Sequence, residues 1–175
     1  MAESGARALL FLDVDGPLLP FGIGPDSFPP GYFAHELRPE PWSRPEDPLI
    51  VRLNPEHGRR LLALPCELVW ATAWMEDANE LIGPRIGLPE LPVVIVDTED
   101  EAAEQIGLHW KTKALIEWAD GRPFAWVDDE IDDIDRTWVE EYHEGLALLH
   151  RVDPRTGLTE DDFAVLEVWL RSLEG

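Results

Sequence analysis

Two aspartates separated by one residue, Asp13 and Asp15, close the stretch ALLFLDVDGPLLP, and Gly16-Pro17 breaks the extended run directly behind them. Thr72 follows in VWATAW, Lys111 in HWKTKAL, and the pair Asp128-Asp129 in FAWVDDE. A lone aspartate at a strand-to-loop turn is usually a turn former, because its side chain bonds the nearby backbone. Several carboxylates at the ends of separate strands are different. They repel one another, so a site that gathers them needs a cation, and an all-oxygen ligand set with few protein contacts suits Mg2+. A lysine and a hydroxyl beside them supply what a phosphoryl group requires, a point charge and a donor for its nonbridging oxygens.

The elements that would position these groups alternate regularly. Leu9 to Leu12 read as a buried strand, a short apolar run bounded by Gly and Pro. NPEHGRRLLALP predicts a short helix with Asn54 as N-cap and Pro55 in its first position. CELVWATAW gives a second strand ending near Thr72, MEDANELIGPRIG a helix stopped at Gly83-Pro84, and PVVIVD a third, β-branched strand. A short acidic helix around Glu99 to Gln105 leads to HWKTKALIEWAD, in which Thr112 is positioned to cap a helix ended by Gly121. PFAWVDD is a fourth strand, EIDDIDRTWVEEYH a helix, GLALLHRV a fifth strand, and LTEDDFAVLEVWLRSL a terminal helix capped by Thr159. Five alternations of strand and helix predict an α/β fold with a parallel sheet covered on both faces. In such sheets ligands bind outside the carboxyl ends of the strands, where the polar positions above fall.

Residues 17 to 53 interrupt the alternation. Nine prolines between Pro17 and Pro48 forbid helix, and Phe21, Phe28, Tyr32, Phe33 and Trp42 make the stretch too aromatic for a disordered linker. It reads as a packed flap with one short hairpin, placed beside the two aspartates. With 175 residues the chain has room for one domain, so residues 1–175 are expected to form a single unit carrying this insertion.

The balance of 36 acidic against 14 basic residues gives a formal net charge of −22. Stable nucleic-acid binding is not expected of such a surface, since phosphate-backbone affinity comes from Lys and Arg. No apolar run approaches the roughly 20 residues that span a bilayer. The single cysteine, Cys66, allows no internal disulfide, and the N-terminal residues lack a signal-peptide pattern, so a cytoplasmic location is expected.

FLDVDGPL, VWATAW, HWKTKAL and FAWVDDE resemble the four ordered motifs of the haloacid dehalogenase (HAD) superfamily of phosphohydrolases. The resemblance covers about residues 8 to 150. It implies a Rossmann-like three-layer α/β/α sandwich with a five-stranded parallel sheet of order 3-2-1-4-5, the first and fourth strands adjacent. It also implies that Asp13 is a nucleophile forming an aspartyl-phosphate, and that Asp15 is the general acid/base. Thr72 and Lys111 would hold phosphoryl oxygens. Mg2+ would be held by Asp13, the main-chain carbonyl of Asp15 and Asp128, with Asp129 in support. Gly16 permits the sharp exit from the strand, and Trp74, two residues beyond Thr72, either walls the substrate pocket or packs.

Several positions keep alternatives. Lys113 competes with Lys111, which is preferred because it precedes a helix N-terminus, where anions also meet free backbone N–H groups. Asp132 and Asp133 either join the metal or cap the following helix. DDEIDDID fails as a calcium loop, with Asp133 where Gly is required and Val139 where Glu is required. The five histidines show no zinc-binding spacing and read as surface or core residues.

Neither usual position for a large helical cap domain holds one, so an open site is expected. The expected activity is a Mg2+-dependent phosphatase acting on a phosphomonoester. Openness leaves two substrate classes, a small phosphorylated metabolite or a phosphorylated polynucleotide end. The second follows from a further similarity to phosphatase-like domains of nucleic-acid end-repair proteins and implies a polynucleotide 3′-phosphatase. A catalytically silent HAD-fold binding module is disfavoured, because every motif position holds a chemically competent residue.

Overall fold

Strand β1 (Leu9–Leu12) is fully buried and lies in the middle of a parallel sheet, between β4 (Glu67–Trp70) and β5 (Phe124–Asp128), with β6 (Ala147–Arg151) outside β5. The computed structural model describes residues 6–38, 48–96 and 98–175. Alternation along β1 divides the core. Leu10 and Leu12 face one side, with residues of α1 (Glu56–Leu62), α2 (Gly83–Ile86) and α6 (Glu160–Ser172). Leu9 and Phe11 face the other, with α4 (Thr112–Ala119) and α5 (Asp133–Tyr142), while a short helix, α3 (Glu101–Gln105), precedes α4 in the chain. A strand buried on both faces must be apolar throughout, which accounts for the run LLFL.

The third of the five expected parallel strands does not form among the described residues. PVVIVD makes one isolated parallel bridge, Val93 to Trp70, held by Trp70 N–H to Pro92 O (2.8 Å) and Val94 N–H to Trp70 O (2.9 Å). Pro92 has no N–H to extend the ladder, and Ile95 is exposed, so the stretch is β-branched in composition but only touches the sheet edge. The described sheet therefore has four strands in the order β4-β1-β5-β6.

The helix expected before Gly83-Pro84 also differs. A π-helical turn, Ala78–Ile82, runs into α2, with Pro84 in the first turn of α2 and the stop at Gly87, whose φ is +79°. Proline is tolerated there because the first N–H groups of a helix lack partners anyway.

The proline-rich excursion contains an antiparallel hairpin of β2 (Phe33–Leu37) and β3 (Leu49–Leu53), forming a separate two-stranded sheet. Leu37, Val51 and Leu53 are buried in the core on the Leu10/Leu12 side. Leu158 N–H to Pro17 O (2.8 Å) and Phe21 N–H to Pro154 O (2.8 Å) fasten the excursion to the loop before α6. Trp42 and Arg44 lie outside the described residues.

Candidate active site

Register places the first two carboxylates. Leu12 pairs with Val127 across β1 and β5, and Asp13 N–H donates to Val127 O at 3.1 Å, so Asp13 and Asp128, one residue further on, emerge side by side at the carboxyl ends of their strands. Asp129 follows, and oxygens of Asp13, Asp128 and Asp129 all lie within 4.8 Å of one another, with all three residues buried. This is the one such acidic cluster among the described residues.

Lys111, at the N-cap of α4, is 2% exposed. Its Nζ donates to Asp128 Oδ2 at 2.6 Å and lies 3.3 Å from Asp13 Oδ1. Lys113 is directed elsewhere, with its Nζ 2.8 Å from Asp100 Oδ2. Asp13 Oδ1 also accepts from Val14 N–H at 2.8 Å, which fixes the plane of the carboxylate and hence the direction of Oδ2. Asp128 Oδ2 accepts from Trp126 Nε1–H at 3.2 Å, and Asp128 Oδ1 from Glu130 N–H at 3.0 Å.

Burial governs the ionisation of these acids. Desolvation pushes the Asp13 carboxyl up to about 7, opposed by the Lys111 ammonium and reinforced by the Asp128 charge. Burial and the neighbouring Asp128 push Asp129 up to about 6. Three buried carboxylates around a single ammonium form an all-oxygen donor set with excess negative charge, which fits a hard divalent cation.

Asp15 stands outside that cluster. The residue is exposed at its rim, yet desolvation of its carboxyl in the mouth of the site raises its pKa, tempered by a hydrogen bond from Trp74 Nε1–H to Asp15 Oδ2 at 3.1 Å. The Trp74 indole therefore touches the predicted acid/base. Thr72 is fully buried just past β4, and its Oγ1 accepts the N–H of Trp74 at 3.2 Å, so its hydroxyl shapes the turn that carries the indole.

Gly16 has φ +98°, and a Cβ placed on it would lie 2.7 Å from Asp129 Cγ. The glycine thus serves two needs, a left-handed turn and room for the Asp129 side chain. Asp132 is the N-cap of α5, in a capping box with Asp135, and Asp133 lies in the first turn of that helix.

Three contributors went unassigned in the sequence. Buried Asp135 accepts from His109 N–H (2.8 Å), Thr112 Oγ1–H (2.8 Å) and Asp132 N–H (3.0 Å), tying the start of α4, and so Lys111, to the start of α5. Thr112 therefore bonds Asp135 instead of capping its own helix. Trp126 orients Asp128. His109 packs edge-on to Trp126 (ring centroids 5.2 Å apart), its Nδ1 accepts Lys111 N–H at 3.1 Å, and its buried Nε2 has no hydrogen-bond partner. Adjacency to the lysine, in HWK, was the only sequence signal for this histidine.

Beside the acids opens a cavity of about 840 Å³, with walls from the segments that follow β4 and β5, from Arg151 at the end of β6 and from residues 98 to 110. Among the described residues, none from 17–38 or 48–53 lines it.

A central strand ending in Asp-x-Asp-Gly, a buried lysine and an Asp-Asp pair on the adjacent parallel strand define a HAD-type α/β domain. The chain matches the family described as the HAD domain in Swiss Army Knife RNA repair proteins over residues 9–163, and it belongs to that family. No curated protein and no solved structure matches it. No helix among the described residues is long and apolar enough to cross a membrane.

Proposed function

We propose that this domain is a Mg2+-dependent phosphomonoesterase that works through an aspartyl-phosphate on Asp13. The observation that carries the reading is the contact of one buried ammonium, Lys111, with both Asp13 and Asp128 at the carboxyl end of the sheet. Asp13, Asp128 and Asp129, with the Asp15 main-chain carbonyl, would hold the ion. Mg2+, when bound, neutralises these acids and polarises the phosphoryl group.

Asp13 Oδ2 attacks phosphorus while the bond from phosphorus to the alcohol oxygen breaks, and Asp15 delivers its proton to that oxygen, releasing the alcohol. Water then attacks the phosphorus, its proton passes to Asp15, and the bond to Asp13 breaks, releasing inorganic phosphate. The raised pKa of Asp15 suits the first proton transfer near neutral pH. Lys111 stabilises charge on the phosphoryl oxygens in both steps. The family description favours a phosphorylated RNA end as the physiological substrate over a small metabolite.

The test is release of phosphate from glycerol phosphate and from a 3′-phosphorylated oligoribonucleotide, with and without Mg2+. Asp13→Asn should abolish turnover and prevent beryllium fluoride from binding, whereas Asp15→Asn should abolish turnover but still bind beryllium fluoride. Wild-type rates in Asp13→Asn would overturn the covalent mechanism.

A further inference from the structure

Attack at Asp13 requires room for one phosphoryl group, yet the adjoining cavity, about 840 Å³, is of the size that holds a whole small molecule. One part of its wall is apolar: Ala73, Met75, Leu108 and the half-buried Trp110. Such a surface receives a flat ring or an aliphatic body. The acids Glu104 and Glu130 form another part.

The cations at the cavity are already matched. Arg151 donates from Nε to Asp129 O (3.1 Å) and from a terminal nitrogen to Asp132 Oδ1 (3.3 Å), Lys113 pairs with Asp100, and Lys111 is held by Asp13 and Asp128. A second anionic group entering here would meet carboxylates. An uncharged group would not, and it would find a donor waiting. His109 lines the cavity, and its Nδ1 acceptor role puts the proton on Nε2. That nitrogen is 3.5 Å from Glu130 Oε2 and 4.0 Å from Asp128 Oδ1 and bonds neither. A hydroxyl or carbonyl oxygen arriving between the two acids would satisfy it.

We propose that this cavity is the subsite for the alcohol half of the phosphomonoester, that it takes one uncharged, ring-bearing group of nucleoside size, and that Glu104 and Glu130 turn away a substrate carrying a second phosphate there. The assignment rests on the phosphomonoesterase reading for the identity of the ligand, but its binding half needs no turnover. For an RNA end, it means that the terminal nucleoside enters and the phosphodiester on its 5′ oxygen, which carries one charge instead of the two of a terminal phosphate, bears a smaller part of the same penalty.

The test is calorimetric titration of adenosine, adenosine 3′-monophosphate and adenosine 3′,5′-bisphosphate into Asp13→Asn protein with Mg2+, where turnover does not consume the ligand. Adenosine should bind, and the bisphosphate should bind about tenfold more weakly than the monophosphate, the scale of one screened like-charge contact. Glu104→Lys, on the exposed face of α3, should bring the two phosphates to about parity. Glu141→Lys makes the same change of net charge at the far end of α5 and should leave the ratio as it was.

Absence of adenosine binding, equal affinity for the two phosphates in the parent protein, or a ratio that responds equally to both lysine variants would overturn the proposal. Glycerol phosphate hydrolysis by the wild-type protein separates the two readings. If it is absent while the charge-dependent ratio holds, the phosphatase reading fails and the subsite stands; if it is present while the ratio is flat, the reverse is true.

Discussion

The indole of Trp74 donates its N–H to the carboxylate of Asp15 at 3.1 Å, while the backbone N–H of the same tryptophan is held by Thr72 Oγ1. The proposed acid/base is thus oriented from a neighbouring strand, through a turn that Thr72 closes. Trp74→Phe keeps the ring and removes only the donor. Because that hydrogen bond lowers the Asp15 pKa, its loss raises it. The basic limb of the kcat profile, which reports protonated Asp15, should move to higher pH, while the plateau should drop by about tenfold because the carboxyl is no longer held in line. A limb that stays in place would remove Trp74 from the proton-transfer apparatus.

Asp13 makes the metal-free protein sensitive to alkali. Its folded pKa of about 7 lies above the ordinary aspartate value, so the folded state binds more protons than the unfolded state until pH passes 7. Its contribution is favourable at low pH and is lost as pH rises through 7. The buried histidines, His57, His109 and His143, have lowered pKa values and act in the opposite sense as pH rises through the ordinary histidine value of about 6.5, so the Asp13 contribution is read as a difference between two proteins that share them. Between pH 6.5 and 8, thermal melts in a chelator should show the wild-type Tm falling relative to that of Asp13→Asn. At pH 8 the variant should melt several degrees higher, a gain of stability from deleting the proposed nucleophile.

Gly16 and Gly87 share a positive φ but differ in surroundings. A Cβ on Gly87 meets nothing within 4 Å, whereas on Gly16 it strikes Asp129. Gly87→Ala should cost about 1 kcal/mol, the backbone strain alone. Gly16→Ala should cost ~3 kcal/mol and abolish stabilisation of the fold by Mg2+, because Asp129 is displaced from the acidic cluster. Denaturant titrations of both variants, with and without the ion, measure the difference.

Net charge predicts an inverted salt response. A basic nucleic-acid binder loses affinity as salt rises, but a chain of charge −22 repels a polyanion, and salt screens that repulsion. The KM for a 3′-phosphorylated oligoribonucleotide should fall between low salt and about 150 mM NaCl, where the Debye length is about 8 Å. The KM for glycerol phosphate should change little. A steep rise for the oligonucleotide would point instead to a basic groove that overrides the global charge.

The parts of the site that lie at strand ends were legible because each motif couples a local strand signal to a polar terminus. Asp13, Lys111, Asp128 and Asp129 fall together in the structure through the β1–β5 register and the cap of α4. Composition misled where hydrogen bonding decides. PVVIVD has the residues of a strand, but Pro92 removes a donor and a single bridge remains. A hairpin could be anticipated within the proline-rich stretch, but its burial against the Leu10/Leu12 side, opposite α4 and α5, depends on tertiary packing that no local pattern encodes. Asp135, Trp126 and His109 were illegible for the same reason, since each acts on a residue brought near only by the fold.

Among the described tryptophans, three sit against the charged groups of the site: Trp74 bonds Asp15, Trp126 bonds Asp128, and the Trp110 ring lies 5.0 Å from Lys111 Nζ. Indole emission responds to charges and hydrogen bonds at this range, so the centre carries its own dye. Protonation of an acid, arrival of an ion and entry of a ligand each alter a different one of the three, and single Trp→Phe replacements would sort their signals into separate optical channels without any attached label.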